Sequence, residues 1–179
     1  MFPSIITLSG VPGSGKSTAA RSLAEKLGYQ YYGVSGFFRA MAVEKGISLL
    51  ELGAMAEKDP TLDQEIDRRM VEFVRSHPKS VIDGRIAGWI LRQEQIPSYN
   101  ILLGASLEIR AQRVSLRENK PYPEALAETE MRQKNERNRY RRGYNIDIDD
   151  KSVYDLLVIT DRLKPNEVVD TIMEKMNKL

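Results

Sequence analysis

Cysteine is absent from the 179 residues, which excludes disulfides, thiolate metal centres and a cysteine nucleophile. Histidine is nearly absent too: His77 stands alone, so no histidine cluster can form. Charge of one sign is missing as well. The 27 basic residues almost cancel the 25 acidic ones, and the net charge of +2 gives no whole-molecule attraction to nucleic acid or membranes. Any anion site must therefore be local. No apolar run approaches the roughly 18 residues of a membrane helix, and the stretch from Ile5 to Leu8 is too short for a signal-peptide core. These absences predict a cytoplasmic, unprocessed chain. At 41% hydrophobic it can bury the core of one domain.

What is present is an alternation of short β-rich runs with longer amphipathic segments, the pattern of a parallel sheet covered by helices on both faces. Strands are predicted near Ser4 to Ser9, Tyr29 to Gly33, Ser80 to Asp83, Tyr99 to Leu103 and Leu156 to Thr160. After the first strand, Ala19, Ala20, Leu23, Ala24 and Leu27 recur at helical spacing until Gly28 ends the helix. The predicted fold class is α/β, a three-layer α/β/α domain with a mostly parallel five-stranded sheet. Its core spans residues 1–34, 78–115 and 144–179. Residues 35–77 form a helical insertion, broken at Gly46 and Asp59-Pro60. Residues 116–143, crowded with charge and poor in large apolar side chains, form a short, mobile helical flap that does not pack deeply into the core. From Pro165 to Lys178, Val168, Val169, Ile172 and Met176 share one face of a closing helix.

Gly10-Val11-Pro12-Gly13-Ser14-Gly15-Lys16-Ser17 matches G-x-x-x-x-G-K-S/T between a predicted strand and a predicted helix. This is the pattern of a phosphate loop, or P-loop. Glycines let the backbone curl with its N–H groups inward, and the helix N-terminus adds partial positive charge, so the loop wraps polyphosphate. Lys16 is expected to reach the β- and γ-phosphates, Ser17 to offer its hydroxyl to Mg²⁺, and Thr18 to help the α-phosphate. The competing reading is a glycine-rich connection with no ligand.

Two further strands end in arginines, Ser35-Gly36-Phe37-Phe38-Arg39 and Asp83-Gly84-Arg85. In a doubly wound sheet these should face the same crevice as the phosphate loop. Here the chain resembles the nucleoside monophosphate kinases, and among them the short archaeal-type cytidylate kinases. The resemblance covers nearly the whole chain. It rests on the loop, on Phe38-Arg39 with Ala42 and Gly46, and on Asp83-Gly84-Arg85 with Ala87-Gly88-Trp89. Ile146-Asp147-Ile148-Asp149-Asp150 and Tyr154-Asp155 extend it. It implies that Arg39 and Arg85 hold the acceptor's phosphate and that Ser35 and Gly36 lie against the nucleoside. Many relatives carry aspartate where this chain has Gly36.

Asp83 follows two apolar strand residues, the position of a carboxylate that orients Mg²⁺ or supports the loop serine; capping the next turn is the alternative. In the flap region Arg113 and Arg117 lie four apart and Arg132 and Arg139 seven apart, so each pair shares a helical face able to close over transferring phosphoryl groups. The alternative is a solvated face balanced by Glu118, Glu128 or Glu136. Asp63, Glu65, Asp67, Arg68 and Arg69 form a charge run that reads as a wet face, although in this insertion one or two of them could touch the base or sugar, Arg69 being the candidate.

The expected reaction is transfer of the γ-phosphoryl group of ATP, with Mg²⁺, to CMP or dCMP. An adenylate-type or broader pyrimidine monophosphate kinase is the nearest rival, and an ATP-operated binding switch the rival from another class. The expected partners are small nucleotides, with no nucleic-acid polymer, membrane or obligate protein partner.

Overall fold

The computed structural model describes residues 2–178, the side chains of residues 49, 50 and 57 excepted. Among these, five strands form one sheet: β1 (Ile5–Gly10), β2 (Gln30–Gly33), β3 (Ser80–Asp83), β4 (Tyr99–Gly104) and β5 (Leu156–Ile159). Their spatial order is β2-β3-β1-β4-β5 and every pairing is parallel. The chain thus lays β2 and β3 on one side of β1 and β4 and β5 on the other. That reversal opens a crevice at the carboxyl ends of the strands.

β1 is central, and its alternation shows what each face must satisfy. Ile6 and Leu8 point into a core shared with Val81, Ile101 and Leu103, under α1 (Lys16–Leu27) and α8 (Pro165–Met176). Thr7 and Ser9 point the other way and are fully buried. Their hydroxyls are therefore paired: Thr7 Oγ1 donates to Asn100 Oδ1 at 2.7 Å and Ser9 Oγ to the Gly84 carbonyl at 2.9 Å. This second face is covered by α4 (Thr61–Ser76) and the short α5 (Ala87–Gln93), packed around Tyr32 and Ile82. Cover is incomplete at the β5 edge, where Leu157 and Ile159 remain 45% and 56% exposed. The expected burial of both sheet faces fails there.

The segment after β2 folds as expected into helices with the two named breaks. α2 (Val34–Lys45) stops at Gly46, which takes the left-handed conformation at φ 66°. α3 (Leu49–Lys58) begins with a capping box between Ser48 and Glu51, and Asp59-Pro60 separates it from α4.

Residues 116–143 are helical as expected, but they pack against the domain more closely than their composition suggests. Their first residues are the last turn of α6 (Leu107–Glu118), and the remainder belongs to α7 (Tyr122–Tyr144). The only interruption in this helical hairpin is the turn between the two helices. Although α7 is highly polar, it buries Ala125, Thr129 and Tyr140, and Tyr140 joins the core around Ile82. One aromatic side chain at the right turn thus anchors a helix that composition places outside. No described helix is long and apolar enough to cross a membrane.

Candidate active site

The phosphate loop lies between β1 and α1. Gly13 and Gly15 have φ of 80° and 90°, values that side chains rarely tolerate. At Gly13 a Cβ would also stand 2.8 Å from Arg110 Cβ and from the Arg110 carbonyl oxygen, so shape and conformation both demand glycine. Gly15 caps α1, and Lys16 and Ser17 are its first two residues. The first-turn N–H groups and the positive helix end are thereby aimed at the space the loop encloses.

Two arginines brace this loop from α6. Arg110 is 4% exposed and donates to three oxygens: the Ala105 carbonyl at 3.1 Å, the Pro12 carbonyl at 3.2 Å and Gln133 Oε1 at 2.8 Å. Arg113 donates to the Ser14 carbonyl at 3.3 Å, the Gly13 carbonyl at 3.4 Å and both oxygens of Thr160, at 3.0 and 2.7 Å. Arg113 therefore holds the outer side of the loop rather than hanging in a flap. Carbonyls that turn outward when N–H groups turn inward need donors, and these guanidinium groups supply them. The role of Arg110 escaped sequence reading. Its only signal is spacing, three residues ahead of Arg113 on one helix.

Beside the loop lies a cavity of about 560 Å³. Lys16, Asp83 and Arg85 line it where β1 and β3 end, with Ser35 and Arg39 from α2. α4 presents Asp63, Ile66, Asp67 and Met70, one stripe at helical spacing. α7 presents Arg132, Asn135, Glu136, Arg139 and Tyr140 in the same way, and Arg117 comes from α6. Arg69 is absent from this lining. It sits on the outer side of α4, its Nε 2.7 Å from Glu65 Oε1 and its guanidinium over Phe37, because residue 69 falls between the inward positions 66 and 70. Gly36 is also outside the lining and exposed. A second cavity of about 340 Å³ lies on the other side of the loop, between Lys16 to Thr18, Arg113 and Arg117, and Leu163, Pro165 and Val168.

Among the described residues the first cavity is lined by six cations (Lys16, Arg39, Arg85, Arg117, Arg132, Arg139) and six carboxylates (Asp63, Asp67, Asp83, Glu118, Glu128, Glu136). Most are paired, two of the pairs joining different elements and two lying within one helix. Arg85 pairs with Glu136 and Arg139 Nε lies 3.2 Å from Asp63 Oδ2. Arg117 Nη2 lies 2.6 Å from Glu118 and Arg132 Nη1 3.8 Å from Glu128. The balancing carboxylates are those named in the solvated-face reading, yet they act at the cavity wall. Arg85 and Glu136 are only 12% and 19% exposed. Asp63, read from sequence as part of a wet face, is buried.

Burial shapes the titration of these groups. It lowers Lys16 to about 8, with Asp83 opposing and Arg85, Arg132 and Arg117 reinforcing the fall. It pushes Asp67 up to about 6, against the hydrogen bond from the Tyr144 hydroxyl, and raises Asp63 against the pull of Arg139. Arg85 is lowered to about 9, again by burial first and by Arg132, Arg139 and Arg110 after it. A site whose cations are disfavoured by desolvation gains when a polyanion enters.

Asp83 is fully buried. Tyr31 donates to its Oδ2 at 3.2 Å, Lys16 Nζ lies 3.9 Å from its Oδ1, and Oδ1 has no hydrogen-bond partner. Among the described residues no group of three or more histidine, cysteine or carboxylate side chains converges on one point. The oxygens that could hold a metal beside the loop are the Ser17 hydroxyl and the unpartnered Asp83 carboxylate oxygen. Such hard oxygen donors suit Mg²⁺, which takes the rest of its shell from water and phosphate.

A phosphate loop at the switch point of an all-parallel sheet, with a cavity of paired cations and carboxylates beside it, defines a P-loop phosphotransferase. A shikimate kinase from Bacteroides thetaiotaomicron shares the fold, with a TM-score of 0.61 at 14% identity over 97% of this chain and 98% of that one. The chain belongs to the cytidylate kinase-like family, whose model matches residues 5–162. Cytidylate kinase from Methanocella arvoryzae is 41% identical over 98% of each chain. That from Halobacterium salinarum is 39% identical over 97% of this chain and 89% of that protein.

Proposed function

We propose that this protein transfers the γ-phosphoryl group of ATP to CMP or dCMP, giving ADP and CDP or dCDP. The observation that carries the reading is that Lys16 and Arg85, at the ends of adjacent strands β1 and β3, line one cavity. A donor phosphate on the loop then meets an acceptor phosphate on Arg85 within the same enclosure. Family membership supports the acceptor.

ATP lies with its phosphates in the loop Gly10–Thr18, the backbone N–H groups and Lys16 meeting the oxygens. Ser17 and Asp83 would hold Mg²⁺, which would supply positive charge to the phosphate oxygens. Arg39 and Arg85 bind the acceptor's phosphate, with Ser35 and Gly84 beside them. The incoming dianion displaces Glu136 from Arg85. An acceptor oxygen then attacks the γ-phosphorus as the bond to the β–γ bridging oxygen breaks. That oxygen is already anionic, so no general base is needed, which suits a site without histidine. Arg117 and Arg132 neutralise the charge spread over the transferring group. Arg113 acts one step away by bracing the loop, and Arg139 serves the far end of the acceptor cavity. Closure of the α6–α7 turn over the two nucleotides completes the enclosure and excludes water. The substrates are soluble nucleotides, which suits a cytoplasmic enzyme.

Coupled measurement of ADP release with AMP, CMP, dCMP, UMP and GMP tests the reading. CMP and dCMP should give the highest kcat/KM; ADP release with none of the five rejects monophosphate kinase activity.

A further inference from the structure

Four side chains of the cavity have no part in the phosphoryl transfer just described: Asp63, Asp67, Arg139 and Tyr144. They meet where α4 faces the end of α7. Tyr144 donates its hydroxyl to Asp67 Oδ2, and Arg139 Nε pairs with Asp63 Oδ2 at 3.2 Å. Asp63 is buried and Asp67 half-buried. Two desolvated anions here share one cation and one phenol. Ile66 and Met70, at 2% and 0% exposure, rise from α4 in the same stripe, and Phe38 lines the cavity opposite with Arg139 over its ring at 5.3 Å. The result is a slot with apolar walls and an acceptor-rich end.

Resting on the reading above that the acceptor is a nucleoside monophosphate, we infer that Asp63 and Asp67 read the exocyclic amino group of its base, while Arg139 meets the neighbouring ring acceptors. Cytosine offers a 4-amino donor beside the N3 and O2 acceptors, the complement of carboxylates beside a guanidinium. Uracil reverses both positions: its 4-oxo group faces carboxylates and its N3–H faces Arg139. Each reversal buries like against like, and a buried polar site rejects a mismatched edge far more strongly than an apolar pocket rejects a changed methyl group. A neutral amino donor also satisfies the surplus carboxylate without adding charge to a ligand whose phosphate must remain anionic for Arg85. Adenine presents the same order of amino donor and ring acceptor, so the aspartates discriminate by oxo group and set uracil and guanine apart.

The test is calorimetric titration of the purified protein, without ATP, by CMP, dCMP and UMP, repeated for Asp67→Asn and Asp63→Asn. The wild type should bind CMP over UMP by about 100-fold or more. An amide turns either face to the base, so Asp67→Asn should lower that ratio at least about tenfold, mainly by weakening CMP, with CMP against dCMP unchanged. Asp63→Asn should move the ratio in the same direction. An unaltered CMP/UMP ratio in both variants, an equal loss for the two nucleotides, or a change confined to CMP against dCMP would overturn the assignment, the last placing the carboxylates on the ribose. Because binding is read without turnover, selective CMP binding in a protein that fails to release ADP sinks the proposed reaction and leaves the base assignment standing. Thermal melting of each variant confirms that the compared proteins are folded.

Discussion

The two ends of the crevice are built by opposite means. The loop end is contiguous: eight residues in a row, shaped by glycine and offering mainly backbone N–H groups, with Arg110 and Arg113 fastening its outward carbonyls. The acceptor end is assembled from side chains on β3, α2, α4, α6 and α7, and its cations wait in pairs with carboxylates. The first is a rigid mould ready for phosphate. The second must exchange partners when its ligand arrives. Rigid backbone sites lose little on binding, whereas exchanged ion pairs gain only the difference between old and new partners.

The comparison breaks hardest at Lys16. Lys16→Ala should lower kcat by at least about 10³-fold while the melting temperature stays nearly unchanged, since the lysine contributes charge to a mould already set by backbone. Comparable turnover in the variant would remove the loop from the mechanism. At the acceptor end, Arg85→Ala should both raise the CMP KM by about 100-fold and destabilise the protein by about 3 kcal/mol, because it strands Glu136 as a buried unpaired anion. Adding Glu136→Gln should restore most of the stability and none of the CMP affinity. Denaturant unfolding of the single and double variants separates the two effects, and an additive loss would mean that the pair is not coupled.

A smaller effect sharpens the contrast through pH. Asp67 is raised to about 6 by burial, against the Tyr144 hydrogen bond and Arg139 and with the nearby Asp63 charge adding to the rise. A carboxyl raised in the folded state contributes stability that is present below its unfolded value near 4 and lost as pH climbs through 6. Asp67→Asn should therefore stabilise the free protein above pH 6, by about 1–3 kcal/mol at pH 8, and have little effect at pH 4. Equal melting shifts at both pH values would show that the carboxyl is not held protonated by its surroundings. The smallest expected effect is at Arg69. Its exposed pairing with Glu65 makes Arg69→Ala worth less than about 1 kcal/mol, with CMP kinetics within about twofold of wild type; a tenfold rise in KM would return it to the site.

Sequence legibility follows the same division. The strand carrying the loop, the loop itself and the helix after it are local in sequence, and their glycines and alanine–leucine spacing mark them. The breaks at Gly46 and Asp59-Pro60 were equally readable, since a left-handed glycine and a proline act on their own neighbours. Asp63 and Glu136 were not. Each looks like one charge among many on a polar helix, and only the packing of α4 against α7 shows that these faces are turned inward. Arg69 shows the converse, a plausible cation one position away from the inward stripe. How firmly the α6–α7 segment is seated was hidden for a related reason. A scarcity of large apolar residues says little when Tyr140, with the small Ala125 and Thr129, seats the helix.

The even balance of six positive and six negative side chains among the described residues around the acceptor cavity has a kinetic consequence. A mouth without net charge casts no strong field into solution, and the whole chain adds only +2. An approaching nucleotide is therefore not funnelled from afar, and its encounter rate should vary little with ionic strength. Attraction develops only after entry, when a phosphate takes the place of Glu136. The selectivity of this enzyme for its acceptor should then reside in how long the nucleotide stays rather than in how quickly it arrives.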